Sequence, residues 1–147
     1  MQRAMPSLPY PSRWGLSVEI SGRPVLWGVL TIDSVTEGRV IGTVNFRDTP
    51  IRINGTWNEN AKQLIFDSPY ASYSGQLQIF DDPQIKVRHL ILSGRFIMKP
   101  PSPQAGVYGN WIATTEKELT GTPINTSTLP PVGAFLTSDL LYSRGQR

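Results

Sequence analysis

Apolar and polar side chains trade places step by step through most of this chain. Val40, Gly42, Val44 and Phe46 alternate with Ile41, Thr43 and Asn45, and Ile51, Ile53, Gly55 and Trp57 alternate with Arg52, Asn54 and Thr56. Successive side chains of a β-strand point to opposite faces, so this period of two is the mark of half-buried strands. No helical period is sustained before residue 134. Eight strands are predicted, at about 13–20, 25–33, 39–46, 50–57, 62–67, 72–80, 85–98 and 106–114. The connections, among them "SGRP" (21–24), "RDTP" (47–50), "NENAK" (58–62) and "DDPQ" (81–84), are short and rich in turn residues. Short connections make neighbouring strands antiparallel, because parallel pairing needs long crossovers. Residues 1–12 read as an irregular arm, 13–115 as the β body, and 116–147 as a loop and a short helical segment packing on that body. In that last segment Thr137 or Ser138 would cap a helix carrying Leu140, Leu141 and Tyr142.

Five of these strands contain a glycine with a large apolar residue two positions later: Gly42 with Val44, Gly55 with Trp57, Gly75 with Leu77, Gly94 with Phe96, and Gly109 with Trp111. Glycine weakens a strand, so five repetitions call for a geometric reason. Positions i and i+2 share a face, and the glycine face is almost wholly apolar while the opposite face carries Thr43, Asn45, Gln76, Gln78 and Asn110. Glycines that point inward let a sheet bend sharply toward that face, which is how small barrels close. The predicted fold is therefore all-β: one small antiparallel up-and-down β-barrel of about eight strands with a short C-terminal helix. A two-sheet sandwich is the rival.

The stretch "NGTWNENAKQLIF", with Gly55, Trp57 and Asn58, is similar to the G-x-W-x-N signature of avidins, and "RWGL" (13–16) holds the elements of the lipocalin G-x-W in altered order. Together with the eight-strand pattern and the terminal helix, the chain resembles the calycin group of lipocalins, fatty-acid-binding proteins and avidins. The resemblance implies a closed calycin-like barrel. It assigns no binding residue.

Composition narrows the chemistry. The 147 residues include no cysteine, which excludes thiolate catalysis, disulfides and cysteine-based zinc sites. A reducing, cytoplasmic location is expected, since "MQRAMPSLPYPSRWG" has no apolar leader core. No apolar run approaches the roughly 20 residues of a membrane-spanning helix. The net charge of +3 is spread over scattered basic residues. Lys86, Arg88, His89, Arg95 and Tyr108 form the nearest approach to a nucleic-acid patch, and nucleic acid is disfavoured as a partner.

Catalytic groupings are sparse. His89 is the single histidine, which argues against Ser–His catalysis, and no second histidine or cysteine accompanies it as a metal ligand. Asp81 and Asp82 precede Pro83 and are expected to set a turn and face solvent, so no acid is expected on the inner face. No catalytic residue, cofactor or metal is assigned, and the chain is expected not to be an enzyme. Trp14, Trp57 and Trp111 fall on the inner face near strand ends, where aromatics either plug a barrel or line the mouth of an apolar pocket. With Tyr73 and Phe96 they are the candidate ligand-binding residues, for a small apolar ligand. An outer-surface module for protein or carbohydrate, using Asn54, Gln76, Gln78 and Asn110, is the alternative. Ile91, Ile97, Tyr108 and Ile112 form an apolar stripe on the outer face, to be covered by the C-terminal segment or by a second copy in a homodimer.

Overall fold

The computed structural model of the chain describes residues 7–120, and the predicted C-terminal helix lies outside them. Eight strands follow in order: β1 (Ser12–Glu19), β2 (Leu26–Thr36), β3 (Arg39–Phe46), β4 (Thr49–Asn58), β5 (Gln63–Asp67), β6 (Ala71–Asp82), β7 (Val87–Met98) and β8 (Tyr108–Glu118). Each neighbours the next, and β1 also pairs with β8, so the sheet closes into an up-and-down barrel rather than a sandwich. The described residues contain no helix long and apolar enough to cross a membrane.

Sequence determines the turns directly. Glu37 and Gly38 join β2 to β3 with φ of 52° and 80°, and Arg47 and Asp48 join β3 to β4 with φ of 55° and 60°. Two left-handed residues between paired strands match the twist of a hairpin. Gly38 adopts that conformation freely, whereas Arg47 carries a Cβ there at a cost of about 1 kcal/mol.

The inward face is the one the alternation predicted. Trp14, Leu16, Leu30, Ile32, Val40 and Val44 are buried in the early strands, and Ile53, Leu64, Phe66, Leu92 and Ala113 in the later ones. β2 departs from simple alternation. Ile32 faces Gly42 but Ser34 faces Ile41, so Asp33 is an extra residue in a bulge. Beyond it the inward phase shifts by one, and Val35 is buried.

The five glycines sit where a neighbouring strand leans over them. A Cβ at Gly42, Gly55, Gly94 or Gly109 would overlap the carbonyl oxygen of Thr31, Ile65, Ser74 or Glu19 respectively, and at Gly75 it would lie 2.7 Å from the Ser93 oxygen. In every case the obstacle is backbone of the adjacent strand, which fixes glycine there by close approach. Gly28, absent from the expected set, has the Asn45 oxygen at the same 2.7 Å.

The described chain divides into two compact units, 7–77 with 91–115 and 78–90 with 116–120. β1 begins at Ser12, inside the expected arm, and β8 continues to Glu118, so three residues assigned to the C-terminal segment are strand. Leu8, also in the arm, is fully buried. In the second unit Leu119 N donates to Lys86 O at 3.0 Å.

Candidate functional site

The candidate ligand-binding residues Trp14, Trp57, Tyr73, Phe96 and Trp111 are all buried. Three of them meet. Tyr73 stacks on Phe66 with centroids 4.5 Å apart, and lies 5.8 Å from Phe96 and 6.0 Å from Trp111. Phe66, 5.5 Å from Trp111, completes the cluster and went unselected because β5 carries no glycine to flag it. Its alternation with Leu64 was the available signal. The Trp111 indole N–H donates to the carbonyls of Ser74 (3.1 Å) and Arg95 (3.0 Å), tying the cluster to β6 and β7. Burial pushes the Tyr73 phenol up to about 12. Trp14 and Trp57 stand apart from these rings. Trp14 Nε1 donates to Ser12 Oγ at 2.8 Å and Trp57 Nε1 to Glu59 Oε1 at 2.7 Å.

Glu59 is the centre of a second polar arrangement. Its carboxylate accepts from Ser7 N (2.8 Å), Ser7 Oγ, Trp57 Nε1 and Lys62 Nζ (2.7 Å). Burial by itself would raise its pKa, but the hydrogen bonds from Lys62, Ser7 and Trp57 outweigh that and hold it at about 2. An open hollow of about 400 Å³ lies over Thr56–Asn60.

The second unit corrects the reading of the paired aspartates. Asp82 does serve the turn, accepting from Gln84 N at 3.1 Å. Asp81 does not face solvent. It continues the inward series Leu77, Ile79, Asp81 on β6 and is 3 % exposed. Arg88 of β7 grips it through Nε at 2.7 Å and Nη2 at 2.9 Å, a bidentate pair that raises the Arg88 pKa. An acid therefore does stand on the inner face. His89, on the opposite side of β7, stacks on Phe80 with centroids 6.0 Å apart, and its Nδ1 is 3.2 Å from Glu116 Oε2. Two members of the expected basic patch are thus engaged by carboxylates.

An open groove of about 420 Å³ runs across the outward faces of β1, β8 and β7, lined by Ser17, Glu19, Ser93, Arg95, Asn110 and Ile112. These residues alternate with buried Val18, Leu92 and Trp111, so they are the polar face of the same strands. Register brings them together: Ser17 pairs with Ile112 and Glu19 with Asn110 across the seam that closes the barrel. On the far side of β1, Ser17 pairs with Trp27. Trp27 is 72 % exposed and Tyr108 is 70 % exposed, which are extreme values for such large rings. No ion pair joins Glu19 or Arg95 to any described residue. Of the predicted outer-face residues, Asn110 lies in the groove, while Asn54 and Gln76 are exposed elsewhere and Gln78 is half-buried. Of the apolar stripe, Ile97, Tyr108 and Ile112 are exposed and Ile91 is half-buried.

No family model, curated protein or solved structure matches this chain. What it can do must be read from its own geometry. The groove combines one cation, one anion, an amide and two hydroxyls, and the exposed Trp27 is the register partner of its Ser17. That set can hold a ligand by hydrogen bonds of both polarities.

Proposed function

We propose that this chain is a non-enzymatic binding barrel of calycin-like build whose ligand lies in the outward groove of β1, β8 and β7. One observation carries the reading. Glu19, Arg95 and Asn110 stand exposed and converge in one groove, and neither charge has an ion pair among the described residues. Unpaired polar groups that converge on a concavity are the usual signature of a binding site. The non-enzymatic part rests on the commitment of two carboxylates: Arg88 holds Asp81, and four donors hold Glu59. The cysteine-free composition supports residence in a reducing compartment such as the cytoplasm.

A second reading places a small apolar ligand at Tyr73, Phe96 and Trp111, with Trp14 and Trp57 towards the strand ends. It is favoured by the Tyr73 hydroxyl, which burial alone perturbs and which makes no hydrogen bond to the described residues. Backbone amide shifts during titration with small polar and apolar probes separate the two. Shifts confined to Ser17, Arg95, Asn110 and Ile112 support the groove. Shifts centred on Phe66, Tyr73 and Phe96, with an apolar dye displaced by a fatty acid, overturn it in favour of the interior.

A further inference from the structure

From the chemistry of the groove, and resting on its being the binding site, we infer that its ligand is a neutral saccharide whose ring stacks on Trp27. The groove floor carries one positive and one negative side chain, Arg95 and Glu19, with Asn110 paired in register beside Glu19. An anionic ligand is drawn by Arg95 and repelled by Glu19, and a cationic one the reverse. An apolar ligand strips water from both charges without replacing their hydrogen bonds, which costs more than its burial returns. A neutral polyol satisfies all of them. Its hydroxyls donate to the Glu19 carboxylate and the Asn110 carbonyl, and accept from the Arg95 guanidinium and the Asn110 amide. Planar side chains with two polar atoms in a fixed fork match the vicinal hydroxyls of a sugar.

Trp27 supplies what hydrogen bonds do not. It is the exposed tryptophan, while Trp14, Trp57 and Trp111 are all in the core. Ser17 is its register partner on β1 and is at the same time the partner of Ile112 on β8, so Trp27, Ser17 and Ile112 form one transverse row on the outward face. Strands are spaced about 4.8 Å apart, which places Trp27 and Ile112 about 10 Å apart, the length of two sugar rings. Tyr108, two residues from Asn110 on the same face of β8, flanks the polar floor towards the start of that strand. A pyranose has one face of C–H groups and a rim of hydroxyls, which suits an aromatic face beside a polar floor.

The test is a titration of the whole chain with maltose, lactose and mannobiose, read by amide shifts and by acrylamide quenching of tryptophan. At least one disaccharide is expected to saturate in the millimolar range, shifting Ser17, Trp27, Asn110 and Ile112 and shielding the quenchable fluorescence. Trp27→Ala is expected to weaken that binding about tenfold with the unfolding midpoint unchanged, and Trp27→Phe to keep most of it. Glucuronate and trialanine are run in parallel. If either of these shifts the groove residues while no disaccharide does, the saccharide inference is overturned and the groove reading stands. If shifts fall on Tyr73 and Phe96 instead, or every probe leaves the groove unmoved, both are overturned.

Discussion

β8 presents two faces one residue apart. Trp111 and Ala113 point inward, where Trp111 spends its N–H on two backbone carbonyls and its ring packs against Phe66 and Tyr73. Asn110 and Ile112 point outward into an open groove beside an arginine and a glutamate that have no ion pair among the described residues. The inner face is fixed by steric closeness, down to glycines that no other residue can replace. The outer face is fixed by nothing except register. Backbone curvature therefore uses up the freedom of one face and leaves the other to chemistry.

The sharpest way to break that contrast is to place a side chain where the inner face admits none. Gly94→Val drives a Cβ into the Ser74 carbonyl and is expected to cost about 3 kcal/mol or more, or to prevent folding. Ser93→Val, one residue away on the exposed face, is expected to change urea-unfolding stability by less than about 0.5 kcal/mol. Equal effects would mean that the faces do not differ in the way described.

Asp81 sharpens the same contrast, because it is a charge on the inner side. Asp81→Asn leaves Arg88 without its carboxylate and is expected to lower stability by about 2–3 kcal/mol. Replacing the pair by Asp81→Leu with Arg88→Met is expected to recover most of that loss, since buried pairs are often matched by apolar packing. No recovery in the double variant would show a role beyond mutual neutralisation.

Glu59 tests a half-exposed position, intermediate between the faces. Its carboxyl ionises at about 2 in the folded chain against 4.5 ordinarily, so the charged form is favoured by folding. That contribution is present above pH of about 4.5 and drains away as pH falls towards 2. In thermal melts across this range, Glu59→Gln is expected to show a shallower acid limb than the parent chain. Parallel limbs would contradict the four-donor arrangement. The smallest effect belongs to the outermost ring: Trp27→Ala is expected to move stability by less than about 0.5 kcal/mol, as befits an aromatic that is 72 % exposed.

Alternation and turn residues made the strands legible, because period two and left-handed turns are local properties. The glycines were legible as inward kinks for the same reason, although the sequence does not show what each one makes room for. That needs the neighbouring carbonyl, such as Ser74 beside Gly94, twenty positions away along the chain. Asp81 was misread because its neighbours Asp82 and Pro83 read as turn, while its place in the series Ile79, Asp81 carried the correct signal. The bulge at Asp33 was missed although the apolar spacing widens there from two, Leu30 to Ile32, to three, Ile32 to Val35. The groove was beyond reach altogether. Asn110, Arg95 and Ile112 were singled out in three separate groupings, and their neighbours Glu19 and Ser17 come from the other end of the described chain. Only closure of the barrel makes them neighbours.

That closure decides both faces at once, so the β1–β8 seam is the place to measure. Nuclear Overhauser contacts between the backbones of Ser17 and Ile112, and of Gly15 and Thr114, are expected, with slow amide exchange on both strands. Fast-exchanging amides on β1 and β8 with no contact between them would mean an open sheet, no groove, and five glycines without a purpose.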